Sequence, residues 1–163
     1  MAFKIIYGDI TKIKADILVN AANRHLRAGG GVCGAIFRAA GYAEMKAACQ
    51  RIGYCQTGEA VITPAFGLPA RYVIHTVGPV WEGGGRHERE LLYACYTKSL
   101  MLANAYDAAS IAFPLISSGI FGYPREDALA VCKEAVVDFL MNHDMEVFLV
   151  LLKKENLDTM EYL

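Results

Sequence analysis

The chain has 163 residues, 55% of them hydrophobic and 20% charged, and its net charge is −1. That length fits one domain (1–163) with a core that needs no staples, and the composition excludes a disordered chain. The near-zero charge leaves no basic field to hold a nucleic acid directly. No apolar run is long enough to span a bilayer, so no membrane partner is expected, and MAFKIIYGDI lacks the features of a secretory signal. The five cysteines, Cys33, Cys49, Cys55, Cys95 and Cys132, are odd in number and irregular in spacing. They read as reduced, buried thiols of a cytoplasmic protein, and Cys33, Cys49 and Cys55 match no usual zinc spacing.

In chain order, strand-like and helix-like segments alternate. FKIIY (3–7) and DILVN (16–20) read as strands. A helix is expected over 32–40, with Val32, Ala35, Ile36 and Ala39 as its apolar face and Gly41 as its stop, and a second helical piece over 42–52. Strands follow at 59–64 and 71–77. GPVWEGGGRHE (78–88) reads as a loop whose three glycines make a flexible surface turn. A helix over 88–105 carries Leu92, Cys95, Tyr96, Ser99, Leu102 and Ala103 on one stripe. A strand is expected at 110–116 and a loop at 117–124. Pro124 opens another helix, whose buried face is Ala128, Cys132, Ala135, Val136 and Phe139. A last apolar strand covers 145–152, and the tail 155–163 reads as a short helix. Continuous apolar strands imply a sheet covered by helices on both faces, an α/β three-layer domain.

In such sheets ligands bind in the loops at strand ends. Two loops carry unusual chemistry. Gly29-Gly30-Gly31 opens directly onto a helix, where bare N–H groups and the helix dipole suit an anion. Ser117-Ser118-Gly119-Ile120-Phe121-Gly122 has the same character. The pair reads either as two tight turns or as a clamp for a diphosphate. Gly29-x-Gly31-x-x-Gly34 fits the dinucleotide fingerprint, but the run starts too far from its strand and no acidic residue follows at the ribose distance. Asn20 and Asn23 read either as local backbone caps or as ligands for sugar hydroxyls, and Asp9 either as a turn residue or as an acceptor for a base amine.

The ordered set GDIT (8–11), NAAN (20–23), GGGV (29–32), AIFRAAG (35–41), GEAVITP (58–64), YVIHTVGPVW (72–81) and FPLISSGIFGYP (113–124) resembles the macrodomain family. It is similar to the branch of bacterial and mitochondrial ADP-ribosyl hydrolases and O-acetyl-ADP-ribose deacetylases. The resemblance implies a three-layer α/β/α fold with a mixed central sheet, and ADP-ribose or an ADP-ribosylated protein as partner. It calls for no cofactor and no metal, and a monomer is the expected unit. By position it implies that Asp9 accepts from the adenine amine with Ile10 beside it, and that Asn23 contacts the distal ribose. Gly30, Gly31 and Val32 would form one phosphate loop, and Ser117, Ser118, Gly119, Ile120, Phe121 and Gly122 the other, with Phe121 against the distal ribose.

Three positions depart from that branch. Cys33 stands where it carries an aspartate that positions or activates the attacking water. Phe37 stands where it carries a histidine. Leu152 stands near the place of an adenine-stacking aromatic. Cys33 reads as a packing residue in preference to a catalytic one, since a nucleophilic thiol would need a base and His25 and His75 are the candidates. The expected activity is slow hydrolysis of ADP-ribosyl esters, with Asn23 holding the water. The alternative is a non-catalytic binding module.

Overall fold

The computed structural model describes residues 2–152. The apolar runs form six strands: β1 (Phe3–Tyr7), β2 (Ile17–Ala21), β3 (Ala60–Pro64), β4 (Tyr72–Thr76), β5 (Ser110–Phe113) and β6 (Glu146–Leu151). Four helices stand between them: α1 (Gly31–Ala40), α2 (Tyr42–Ile52), α3 (Glu88–Ala105) and α4 (Arg125–Leu140). The strands make one sheet in the order β1-β6-β5-β2-β4-β3. Every pair is parallel except β3 with β4. Parallel pairs need long crossovers, and here the crossovers are the helices that cover the sheet.

Side chains alternate across the strands, so β2 feeds two cores. Ile17 and Val19 pack with α3 and α4 residues such as Leu92, Tyr96, Leu129 and Val136. Leu18 packs on the other face with Ile36, Phe37, Met45 and Cys49 of α1 and α2. All five cysteines are unpaired and buried. The expected mixed three-layer architecture is what the chain adopts.

Some element readings need correction. The buried side of α1 is Cys33, Gly34, Ile36, Phe37 and Ala40. Val32 and Ala35 are only half-buried and Ala39 is exposed, so the apolar face is rotated by about one residue from the expected one. On α3, Leu100 is buried where Leu102 was expected. The strand expected at 110–116 stops at Phe113 because Pro114 has no N–H to continue the ladder. The helix expected at 155–163 lies outside the described residues.

One α3 side chain fixes where the chain goes after β5. Tyr96 is fully buried, and its hydroxyl accepts from the Ile116 N–H at 3.1 Å and lies 3.4 Å from the Pro114 carbonyl, to which it donates. Tyr96→Phe removes both partners of this turn while keeping the ring. We expect a loss of about 1–3 kcal/mol in urea unfolding, the cost of leaving buried backbone groups unpaired. A change under about 0.3 kcal/mol would mean that the turn is held by packing alone.

Candidate functional site at the carboxyl edge of the sheet

Because β1, β6, β5, β2 and β4 run parallel, their carboxyl ends share one edge. Asp9 follows β1, the 22–30 loop follows β2, the 77–87 loop follows β4, the 114–124 loop follows β5 and Leu152 follows β6. Every residue singled out as a ligand-binding candidate therefore lies at this edge. β2 and β5 are hydrogen-bonded neighbours, so the two glycine loops leave the sheet side by side.

The first loop ends at Gly30, which caps α1 without a side chain, and the first turn of α1 has no acidic residue. Its N–H groups have no partner within the helix. Gly31 has φ +55°, which favours glycine, and a Cβ there would meet no protein atom within 4 Å. Gly34 is glycine for a different reason: a Cβ would stand 2.4 Å from the Gly29 carbonyl oxygen. Val32 is half-buried. Asn23 folds onto its own loop. Its Nδ2 donates to the Arg27 carbonyl at 2.8 Å and its Oδ1 accepts from the Arg27 N–H at 3.1 Å. Its amide keeps one further N–H and a second lone pair.

In the second loop Ser117 has φ +67° and is buried, and its hydroxyl donates to the Pro79 carbonyl at 2.8 Å. Ser118 donates to Leu115 at 2.9 Å. The Gly122 N–H reaches Gly119 at 3.0 Å. Ile120 is 95% exposed at the tip, while Phe121 is half-buried. Cβ atoms on Gly30, Gly119 and Gly122 would also meet no protein atom within 4 Å. Asp9 is exposed and caps the turn Ile10–Lys12, accepting from the Thr11 N–H and hydroxyl at 2.9 and 2.7 Å. These two bonds hold its carboxyl below the usual range. Ile10 is buried beside it.

The loop after β4 braces the second loop. The Trp81 N–H donates to the Phe121 carbonyl at 2.7 Å, and the Trp81 ring lies 4.8 Å from that of Tyr123. The glycine turn at 83–85, read as flexible, is instead tied to Glu88. That buried carboxylate accepts from the N–H groups of Glu82, Gly84 and Arg86 at 2.9, 3.0 and 2.6 Å. Burial by itself would raise the Glu88 pKa, but the backbone donors outweigh it and bring it down to about 2.

Beneath the first loop runs a buried polar chain. Asn20 is fully buried, with Nδ2 3.6 Å from Cys33 Sγ and 3.1 Å from His75 Nδ1. His75 Nε2 is 3.0 Å from Thr63 Oγ1. The Cys33 thiol donates to the Arg27 carbonyl at 3.5 Å. Neither base candidate touches Cys33: burial drops His75 to about 4 and it contacts Asn20, while His25 is exposed and stands edge-on to Tyr54. Phe37 is buried in the α1–α2 core and packs near Tyr42. Leu152 is 67% exposed. Among the described residues no group of three His, Cys, Asp or Glu side chains gathers to hold a metal, and no helix is long and apolar enough to cross a membrane. Asn20, read as a backbone cap or a ligand for sugar hydroxyls, is instead a buried partner of His75 and Cys33. Glu88 is the residue that sequence reasoning passed over; its signal was an acid opening a helix after a glycine turn.

The mixed sheet and paired glycine loops define an α/β protein that presents bare glycine-loop backbone at strand ends. The sequence pattern of the Macro domain family matches residues 19–132. The chain is 49% identical over 155 residues to a Macro domain-containing protein of Methanosarcina mazei, covering 94% of this chain and 82% of that one. It is 48% identical over 157 residues to the O-acetyl-ADP-ribose deacetylase of Escherichia coli K12, covering 93% and 89%. Its fold matches the Oceanobacillus iheyensis macrodomain with MES bound at TM-score 0.92 and 40% identity, covering 97% and 87%. It also matches the Trypanosoma brucei macrodomain in complex with ADP-ribose at TM-score 0.89 and 36% identity, covering 99% and 68%. This chain belongs to the Macro domain family.

Two groups in this region make stability acid-sensitive in separate windows. The folded-state pKa of His75 is lowered from 6.5 to about 4, and that of Glu88 from 4.5 to about 2. Each stabilises fully above its unfolded pKa and loses that contribution as pH falls through its folded pKa. Urea unfolding free energy should therefore fall by up to about 3 kcal/mol between pH 6.5 and 4 on account of His75. A further decline towards pH 2 belongs to Glu88. His75→Phe should flatten the first window and Glu88→Gln the second. A wild-type profile level from pH 7 to 4 would contradict the His75 assignment.

Proposed function

We propose that the whole chain is one macrodomain that binds ADP-ribose, free or attached to a protein, across the carboxyl edge of the sheet, and that it slowly hydrolyses ADP-ribosyl esters. The observation that carries this reading is the pair Gly30 and Gly119. Neither has a positive φ, and neither would bring a Cβ within 4 Å of any protein atom. The fold itself does not demand glycine at these two positions. A ligand lying on the bare backbone accounts for both, and a diphosphate at the unpartnered first turn of α1 is the natural one. Relatives named as O-acetyl-ADP-ribose deacetylases and a neighbour solved with ADP-ribose support the same ligand.

In this reading the Asp9 carboxylate accepts from the adenine amine, with Ile10 beneath the base and Leu152 offering an aliphatic face. Gly30, Gly31 and Val32 receive one phosphate, and Ser117 to Gly122 receive the other. Phe121 lies against the distal ribose, and the remaining capacity of the Asn23 amide goes to its hydroxyls. Hydrolysis adds a water across the ester, giving the free acid and ADP-ribose. Asn23 and a substrate phosphate oxygen hold that water, so rate comes from orientation and electrostatics. Cys33 is not the nucleophile: its contacts are an amide N–H and a carbonyl, and neither can take its proton. The same lack of a carboxylate beside Asn23 favours, as second reading, a module that binds ADP-ribose without turning it over.

Calorimetric titration with ADP-ribose and AMP is the first test, and ADP-ribose should bind more tightly, because AMP lacks one phosphate and the distal sugar. Gly31→Glu should abolish binding in a folded protein, since the carboxylate would occupy and repel the phosphate path. Undiminished affinity in that variant, or no heat with millimolar ADP-ribose, would refute the site. For turnover, Cys33→Ser should keep hydrolysis of O-acetyl-ADP-ribose within a few-fold, whereas Cys33→Asp should raise it roughly tenfold, the low end of general-base effects. Turnover lost in Cys33→Ser would make the thiol catalytic, and no turnover in any form would leave the binding module.

A further inference from the structure

The buried polar chain under the first loop has a direction. Both N–H bonds of the Asn20 amide are used, one towards His75 Nδ1 and one towards Cys33 Sγ, while its Oδ1 has no partner among the described residues. His75 then accepts at Nδ1 and donates from Nε2 to Thr63 Oγ1, whose hydroxyl passes on to the Pro64 carbonyl at 3.1 Å or to Met45 Sδ at 3.4 Å. The register explains the contact: Asn20 and His75 are paired on β2 and β4, and both belong to the face under α1 and α2. Turning the amide over would give His75 and Cys33 an acceptor, but would take the Cys33 S–H away from the Arg27 carbonyl and strand both amide N–H bonds instead of one oxygen.

Cys33 is therefore a relay with both capacities in use. Its sulfur accepts from Asn20, and its S–H donates to the Arg27 carbonyl. That same carbonyl accepts from Asn23 Nδ2, and the Arg27 N–H returns to Asn23 Oδ1. The chain runs from the core at Thr63, through His75, Asn20 and Cys33, to the clamp that shapes residues 23–30. We propose that Asn20 is a positioning residue that acts through Cys33 to set this loop, and with it the Asn23 amide and the Gly30 backbone, for the ligand. The proposal rests on the ADP-ribose reading. It also sorts substitutions at this position: alanine would make neither contact, and serine could make both.

The test is a double-mutant cycle on ADP-ribose affinity with Asn20→Ala, Cys33→Ala and the double variant, each checked for folding by thermal unfolding. Each single change should weaken binding about tenfold, and the double variant should stay within threefold of the weaker single, because the second change breaks a relay already broken. Cys33→Ser, which keeps both contacts, should bind within threefold of wild type. Should Asn20→Ala not fold, the contrast of Cys33→Ala with Cys33→Ser carries the same prediction. In the ligand-free protein, Cys33→Ala should shift the NMR signals of the Arg27 amide and the Asn23 side-chain amide while leaving those of Ser117 to Gly122 in place. Losses that multiply to about a hundredfold in the double variant, or Cys33→Ala signals for Asn23 and Arg27 that match wild type, would overturn the proposal. Failure of the wild type to bind ADP-ribose would count instead against the proposed function, while the ligand-free spectra still decide the relay.

Discussion

The hydrogen bonding of β2 between two parallel neighbours is the constraint on which the rest depends. Ile17 pairs with Tyr72 of β4 on one side and with Ile111 of β5 on the other. A strand flanked this way has no free edge, and the helices on either side cover both its faces. Its buried residues are apolar except Asn20, whose amide nitrogen is held by His75 and Cys33. The same flanking sends the loops after β2 and β5 out together from one edge. The juxtaposition of the two glycine loops follows from strand pairing before any loop residue is considered.

What those loops do then depends on anchors set behind them. The first is tied from the core by Asn20 and Cys33. The second is tied by Tyr96 below Ile116 and by Trp81 and Pro79 from the side. Glu88 holds the turn that carries Trp81. Each anchor fixes the loop backbone from behind or from the side. A preformed surface of this kind spends little ordering entropy when an anion settles on it.

Much of this was legible in the residues. Apolar runs of four to eight residues gave six strands, and glycines in the loops after two of those strands marked the candidate site. Other features were not legible, for physical reasons. The rotation of the α1 face is set by what it packs on: Cys33 and Phe37 join Leu18, Met45 and Cys49 in one core, and that packing is tertiary. The end of β5 was readable, since Pro114 stops the ladder, but the apolar Leu115 and Ile116 hid it. The Gly83–Gly85 turn looked loose because its anchor, Glu88, follows it in the chain and acts through backbone N–H groups that no side-chain pattern reveals. Asn20 closes an apolar strand and precedes a loop, so its amide read as a cap or a ligand for sugar hydroxyls. Only the register with His75 shows that it belongs to the core.

The central claim is that one ligand lies across the loops at the carboxyl edge. Amide chemical-shift mapping of the isotopically labelled protein during titration with ADP-ribose tests it most directly. The account predicts shifts concentrated at residues 9–11, 30–34 and 117–122, with the opposite edge around Lys14, Asp16, Arg71 and Ser110 undisturbed. Shifts confined to that opposite edge, where a surface hollow lies, would contradict it.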